Sequence, residues 1–265
     1  MCYNLCIVKS FGSLKGMAKM FLLYILTFII LLFITYVIFL VICALLVNPK
    51  KEYDNHSRFY RALLNSATAF ALKIMRVKIH TEGIEKIPTL DKNILFVGNH
   101  RSNFDPIITW HILKKWQVAF ISKGANFKIF IFGRFIRRCC FMAIDRENPR
   151  NAIKTINRAA ELLKKGEVSI GVYPEGTRSK SCVLLPFHNG VFKIAQKSNA
   201  PIVTISIDGS EKIHKNFPFH HTDVYLKVVD IIESNAVHDL KTDAIGERVY
   251  KKLQDELDKN PNRKD

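Results

Sequence analysis

Hydrophobic and polar positions follow three different patterns along the chain. Residues 20–47 (MFLLYILTFIILLFITYVIFLVICALLV) contain no charged side chain. As a helix rising ~1.5 Å per residue this run is roughly 42 Å long, more than the ~30 Å hydrocarbon core of a bilayer. It is too long for the apolar stretch of a signal peptide, about 7–15 residues, and bulky Ile42 argues against lipoprotein cleavage before Cys43. A membrane helix is expected. Lys9, Lys15 and Lys19 precede it, and Lys50, Lys51, Arg58 and Arg61 lie soon after it. That balance leans toward a cytoplasmic location for the C-terminal side. A full span and a re-entrant bend both fit the pattern.

Residues 56–75 form a second pattern, a helix with Phe59, Leu63, Ala67, Phe70, Leu72 and Ile74 on a mainly apolar side and basic residues at its flanks. Lying beside a membrane segment, it is expected at the membrane interface or packed on the C-terminal domain. From about residue 77 the pattern becomes short apolar runs alternating with helical periodicity. Strand-like runs occur at 94–97, 117–122, 139–144, 168–173, 202–207 and 223–230, and helical patterns at 106–115, 126–138, 150–165, 190–198 and 239–257. This order predicts an α/β fold, a mostly parallel sheet flanked by helices. The expected division is residues 1–76 for membrane-anchoring helices and 77–265 for the α/β domain, with a frayed polar tail at 260–265.

Composition narrows the partners. The chain has 265 residues, 48% of them hydrophobic, and a formal charge of +17. A polyanionic surface is therefore expected, either anionic lipid or nucleic acid. No nucleic-acid motif is present, and a membrane segment makes lipid the simpler anion. Residues 127–141 mix Phe and Ile with Lys128, Arg134, Arg137 and Arg138, as a core helix with a basic face or an apolar wedge into lipid would. Six cysteines (Cys2, Cys6, Cys43, Cys139, Cys140 and Cys182) show no C-x-x-C pair, so reduced thiols and no metal site are expected, with Cys139 and Cys140 in a strand.

The chemistry-bearing residues sit where strands end. Asn99-His100-Arg101-Ser102-Asn103-Phe104-Asp105 comes directly after the run at 94–97, and Pro106 fits the first turn of a helix. Taken alone, the stretch fits a helix-capping Asp105 beside a surface histidine. It equally fits a carboxylate folded back to hold the His100 ring N–H, which leaves the other nitrogen as a base. Tyr173-Pro174-Glu175-Gly176-Thr177-Arg178-Ser179 closes the run at 168–173, with a glycine for close approach of an anion, an arginine fork and two hydroxyls. Lys123 and Asp145-Arg146 end two further strand-like runs. In a parallel sheet these ends share one rim, which makes a phosphate-binding mouth. No G-x-S-x-G elbow, Walker loop or H-E-x-x-H motif competes, so the substrate is expected to supply the nucleophile.

Four blocks in order resemble the glycerolipid acyltransferases, and within them the bacterial 1-acylglycerol-3-phosphate acyltransferases. They are N-H-x-S-x-x-D at 99–105, Lys123 with Gly133 and Asp145-Arg146, P-E-G-T-R-S at 174–179, and Ala200-Pro201-Ile202. The resemblance covers roughly residues 75–210. It implies His100 as general base and Asp105 as its orienting acid, and places Lys123, Arg146, Glu175, Gly176, Thr177, Arg178 and Ser179 in substrate binding. It also implies lysophosphatidic acid as acceptor, acyl-CoA or acyl carrier protein as co-substrate, phosphatidic acid as product, and no cofactor. The expected location is the inner membrane with the domain facing the cytoplasm. The sequence departs from the family at Ala125, Asn126 and Phe130, and at Phe187-His188-Asn189-Gly190 where F-K-x-G is common. The expectation for these positions is the acyl pocket, and for His188 a solvated or structural histidine.

Overall fold

The computed structural model describes residues 2–87, 93–179, 181 and 183–259; side chains 2–16 and 18 fall outside the description. The chain divides into two compact units, residues 1–48 and 49–265. The first is a single helix, α1 (Cys2–Leu45), so helical structure begins well before the uncharged run. Its large apolar side chains from Met20 to Phe39 are exposed. Among the described residues, 19–45 of α1 is the one stretch of helix long and apolar enough to cross a membrane, by length and composition.

The second unit opens with α2 (Arg58–Ile74) and β1 (Val77–Glu82), then β2 (Leu95–Gly98) and α3 (Asp105–Ile112). Next come β3 (Ala119–Lys123), α4 (Phe130–Arg138), β4 (Met142–Ile144), α5 (Pro149–Lys164) and β5 (Ile170–Val172). The chain then runs through α6 (Lys193–Ser198), β6 (Ile202–Asp208), α7 (Ile213–Asn216), β7 (Thr222–Ile232), α8 (Ser234–Asp239) and α9 (Thr242–Leu257). The seven strands form one sheet in the order β1-β7-β6-β2-β5-β3-β4. All pairs are parallel except β6 with β7. This is the expected mostly parallel α/β architecture.

Every residue of β2 is buried, as a central strand covered on both faces requires. One apolar cluster packs Leu95 and Val97 against α5, α6 and α9. A second packs Leu72 of α2 and Ile108 of α3 against Ile207, Val224 and Leu226. The chain places β3 and β4 beyond β5, returns to β5 beside β2, then crosses to β6 on the other side. Loops from β5 and β6 therefore converge over the C-terminal end of β2, where a parallel sheet builds its crevice.

Several expectations change. The boundary expected after residue 76 groups α2 with the membrane helix by apolar character, whereas the packing groups it with the sheet. Tyr60, Arg61, Leu64, Thr68 and Leu72 are buried there, and Phe59, Phe70 and Ile74 stay exposed. Arg61 fastens α2: its guanidinium donates to the carbonyls of Val118 (3.1 Å) and Cys139 (3.4 Å) and lies 4.6 Å over the Trp110 ring. Burial lowers its pKa. Cys139 and Cys140 are not in a strand. Cys139 caps the C-terminus of α4, Cys140 has φ +63°, and β4 begins only at Met142 because the chain must first reverse. Burial pushes both thiols up to about 12, so they stay protonated. Cys43, Cys139 and Cys140 form no disulfide; Cys182 and the side chains of Cys2 and Cys6 lie outside the described residues, as does the tail 260–265. The closing helix starts at Thr242 rather than 239. Strand β1 escapes the apolar-run reading because Lys78, His80 and Glu82 alternate with its apolar residues.

Candidate active site

The loop after β2 is fixed residue by residue. The Asn99 amide donates to the carbonyl of Ile207 and its oxygen accepts the Ile207 N–H, both at 2.8 Å, tying the loop to β6. The His100 N–H donates to Glu175 Oε1 (2.6 Å), and the His100 carbonyl accepts the Ser179 N–H (2.8 Å). The imidazole stacks on the Tyr173 ring with centroids 4.6 Å apart and planes 19° apart. Tyr173 is itself held at 3.1 Å from the Thr109 hydroxyl. Backbone and ring of His100 are thus constrained independently.

Asp105 supplies the remaining constraint. Its Oδ2 lies 2.9 Å from His100 Nδ1 and also accepts the N–H groups of Arg101 (2.6 Å) and Ser102 (2.7 Å). Its Oδ1 accepts the Ser210 hydroxyl. The carboxylate is fully buried, a state that costs several kcal/mol per ion unless donors surround it. Here four donors do. The helix-cap reading of Asp105 is corrected: Phe104 is the N-cap of α3, and the Asp105 carboxylate faces back into the 101–105 loop. Pro106 does occupy the first turn. An ionised Asp105 offers only acceptors, so the network assigns the ring proton to Nδ1 and leaves Nε2 as the basic nitrogen. The histidine side chain retains 17% exposure.

The loop after β5 divides into a buried and an open part. Both Glu175 oxygens are occupied, Oε1 by His100 N–H and Oε2 by Leu185 N–H (3.0 Å), so this residue braces the histidine rather than facing an acceptor. Burial raises its pKa, with the two backbone donors and the nearby His100 and Arg101 opposing the shift. Gly176 has φ +68°, and a Cβ there would come within 2.9 Å of the His188 ring. Only glycine meets both conditions. His188, on the face of its sequence context a solvated or structural histidine, is exposed and lies over this loop, its N–H donating to the Pro174 carbonyl (2.9 Å). That family departure therefore borders the loop after β5.

Thr177 and Arg178 are exposed, whereas Ser179 is buried with a hydroxyl that has no partner among the described residues. Lys123 ends β3 and Arg146 lies just past β4, both exposed on the same rim as His100. Desolvation lowers the Arg146 pKa. Direct bonds join His100, Asp105, Glu175 and Ser179; Lys123, Arg146, Thr177 and Arg178 share only the rim. Reading by motif missed Ser210, the Tyr173 stack, the Asn99 tie and the partly buried Arg101–Asp208 ion pair. A glycine and serine directly after a strand, Gly209-Ser210, were the available signal for the first.

A family model described as Acyltransferase matches residues 78–208, which contain the His100–Asp105 pair and both loops. Residues 78–208 thus match the acyltransferase family. Among similar proteins is the 1-acyl-sn-glycerol-3-phosphate acyltransferase of Streptococcus pneumoniae, 27% identical over 81% of this chain and 82% of that protein. A chloroplastic 1-acyl-sn-glycerol-3-phosphate acyltransferase of Arabidopsis thaliana is 32% identical over 68% of this chain and 49% of that protein. The aligned chain spans between 39% and 62% of the length of the first plant and algal relatives it matches. The crystal structure of the 1-acyl-sn-glycerophosphate acyltransferase PlsC from Thermotoga maritima shares the fold, with TM-score 0.64 and 22% identity over 85% of this chain and 88% of that one. Ser210 lies just beyond the matched segment.

Proposed function

We propose that this acyltransferase moves a fatty acyl group from a thioester, acyl-CoA or acyl carrier protein, to the free sn-2 hydroxyl of lysophosphatidic acid. The observation that carries the reading is the His100–Asp105 contact at 2.9 Å, built around a fully buried carboxylate with four donors. Simple anion binding needs no such oriented base. His100 Nε2 takes the hydroxyl proton as that oxygen attacks the thioester carbon. The imidazolium formed is stabilised by Asp105. The C–S bond breaks, and the proton passes to the departing thiolate. The products are phosphatidic acid and a free thiol, and no cofactor takes part.

Arg178, Lys123, Arg146 and the Thr177 hydroxyl bind the acceptor phosphate, with Gly176 allowing close approach and Ser179 buried behind them. Glu175 acts from behind, by holding the backbone of His100. The α1 helix anchors the protein in the inner membrane with the second unit in the cytoplasm, and the exposed Ile129, Phe130 and Phe132 beside Lys128 and Arg134 rest against phospholipid. A thiol-release assay with purified protein, acyl thioester and lysophosphatidic acid tests the reaction, and an acceptor panel with one donor tests the headgroup. Release that does not depend on lysophosphatidic acid, or is faster with another lysophospholipid, would displace this acceptor. Removing residues 1–47 should leave the protein soluble or bound only at low salt, as sedimentation with membranes will show.

A further inference from the structure

We propose that Ser210 is a positioning residue for the His100–Asp105 pair: its hydroxyl fixes Asp105 Oδ1 and thereby aims Oδ2 at the histidine. The inference rests on the assignment of His100 as base. Ser210 is fully buried, so it does not meet substrate. Its effect has to pass through the group it touches, and that group is the carboxylate.

The topology explains how a residue 105 positions downstream reaches Asp105. β2 and β6 are parallel neighbours, with Gly98 opposite Ile205, so the loops leaving both strands emerge on one rim. β6 ends at Asp208, and Gly209 turns the chain with φ +85°. A Cβ at Gly209 would fall 2.5 Å from the Asp223 carbonyl, so no other residue makes this turn unstrained. The next residue, Ser210, begins a 3-10 turn at Ser210–Lys212 directly against the 101–105 loop.

The two carboxylate oxygens have unequal company. Oδ2 receives three donors, all from the 100–102 segment, whereas among the described residues Oδ1 receives only Ser210. The terminal torsion of an aspartate is broad, and donors on one oxygen leave rotation about it soft. A donor on the second oxygen, from a different strand end, sets the carboxylate plane. Loss of that donor leaves a buried acceptor unmade and lets the plane turn away from Nδ1.

The test uses full-length protein, with kcat, both KM values and the thermal midpoint measured. Ser210→Ala is expected to lower kcat about tenfold, the size of one lost hydrogen bond, with both KM values within about twofold of wild type. Ser210→Thr, which keeps the hydroxyl, should restore most of the loss. In an Asp105→Asn background Ser210→Ala should add less than about twofold, because a residue acting only through Asp105 has nothing left to aim. A kcat near wild type, a loss expressed in KM, or an equal loss in both backgrounds overturns the proposal. Should Ser210→Ala not fold, Ser210→Cys fills the space with a weak donor and should show the kcat loss; full turnover there overturns the proposal too. His100→Ala is run alongside. If it retains turnover, the base assignment falls and this proposal with it. If it is inactive while Ser210→Ala is fully active, only the role of Ser210 falls.

Discussion

The two halves of the active-site rim are built in opposite ways. Around β2, the proposed base is bonded on several sides within the protein: His100 is held by its N–H, its carbonyl, its ring face and its Nδ1. Along the loop after β5 and the ends of β3 and β4, Thr177, Arg178, Lys123 and Arg146 project into solvent without ion pairs among the described residues. Under the proposed mechanism the contrast separates two tasks. A group that must meet a transition state gains from being fixed beforehand. Cations that bind a mobile lipid headgroup can be ordered by the ligand itself. Glu175 belongs to the first half although it lies in the loop of the second, which is the least expected feature of the site.

The largest break in this comparison should come from His100→Ala, with kcat lower by about 10² or more and a lowered thermal midpoint in a protein that still folds, because Asp105 loses one of its four donors. Turnover at the wild-type level would remove His100 as the base. Glu175→Ala should rank next, at about tenfold in kcat and about 1–3 kcal/mol in stability, since two buried N–H groups lose their acceptor. A variant with altered acceptor KM but unchanged kcat would return Glu175 to the binding half. Arg178→Ala is expected to raise the acceptor KM by about tenfold and leave kcat nearly intact, as loss of uniform binding does. Lys123→Ala and Arg146→Ala should each cost only a few-fold in acceptor KM, an effect that shrinks at high salt as screened exposed charges do. A salt-independent loss in kcat from either would place that residue in the fixed half.

Glu175 also gives the site a signature in stability. Burial raises its proton affinity, so the folded chain keeps the proton over a pH window in which the unfolded chain has released it. Its contribution to stability is therefore largest below the ordinary carboxylate range and declines as pH rises through that window. Denaturant titrations of Glu175→Gln against wild type should show this slope removed, along with a lower stability because the amide accepts one N–H and not two. Identical slopes in the two proteins would mean the carboxyl is ionised throughout.

Much of this was legible in sequence because it is local. The apolar run before Asn99, the five-residue interval from His100 to Asp105, and the Pro106 signal lie within one short segment and define a strand, a turn and a helix. The α/β order came from the same alternation. What was hidden depends on strand order. The burial of Glu175 results from β5 lying beside β2, and the approach of Ser210 from β6 lying on the other side; neither neighbour can be read from a lone glutamate or serine. Strand β7 reads as apolar but not as antiparallel, and the charged alternation of β1 disguises it. The two cysteines misled because an apolar pair before β4 looks like the strand itself when it is the reversal that precedes it.

The outer margins of the sheet bear on how this protein tolerates crowding. Strands β1 and β4 form the two margins and would be the places where one molecule could zip onto another. They are blunted by different means. β4 is only three residues long, too short to template a partner strand. β1 is six residues long, but Lys78, His80 and Glu82 interrupt it with ionisable side chains, and most of it faces water. At the lipid surface proposed for it, the protein would meet its own copies far more often than one diffusing in three dimensions. Margins that refuse edge-to-edge pairing keep such encounters from becoming aggregates, and changing Lys78 and Glu82 together to valine would remove that safeguard without touching the chemistry.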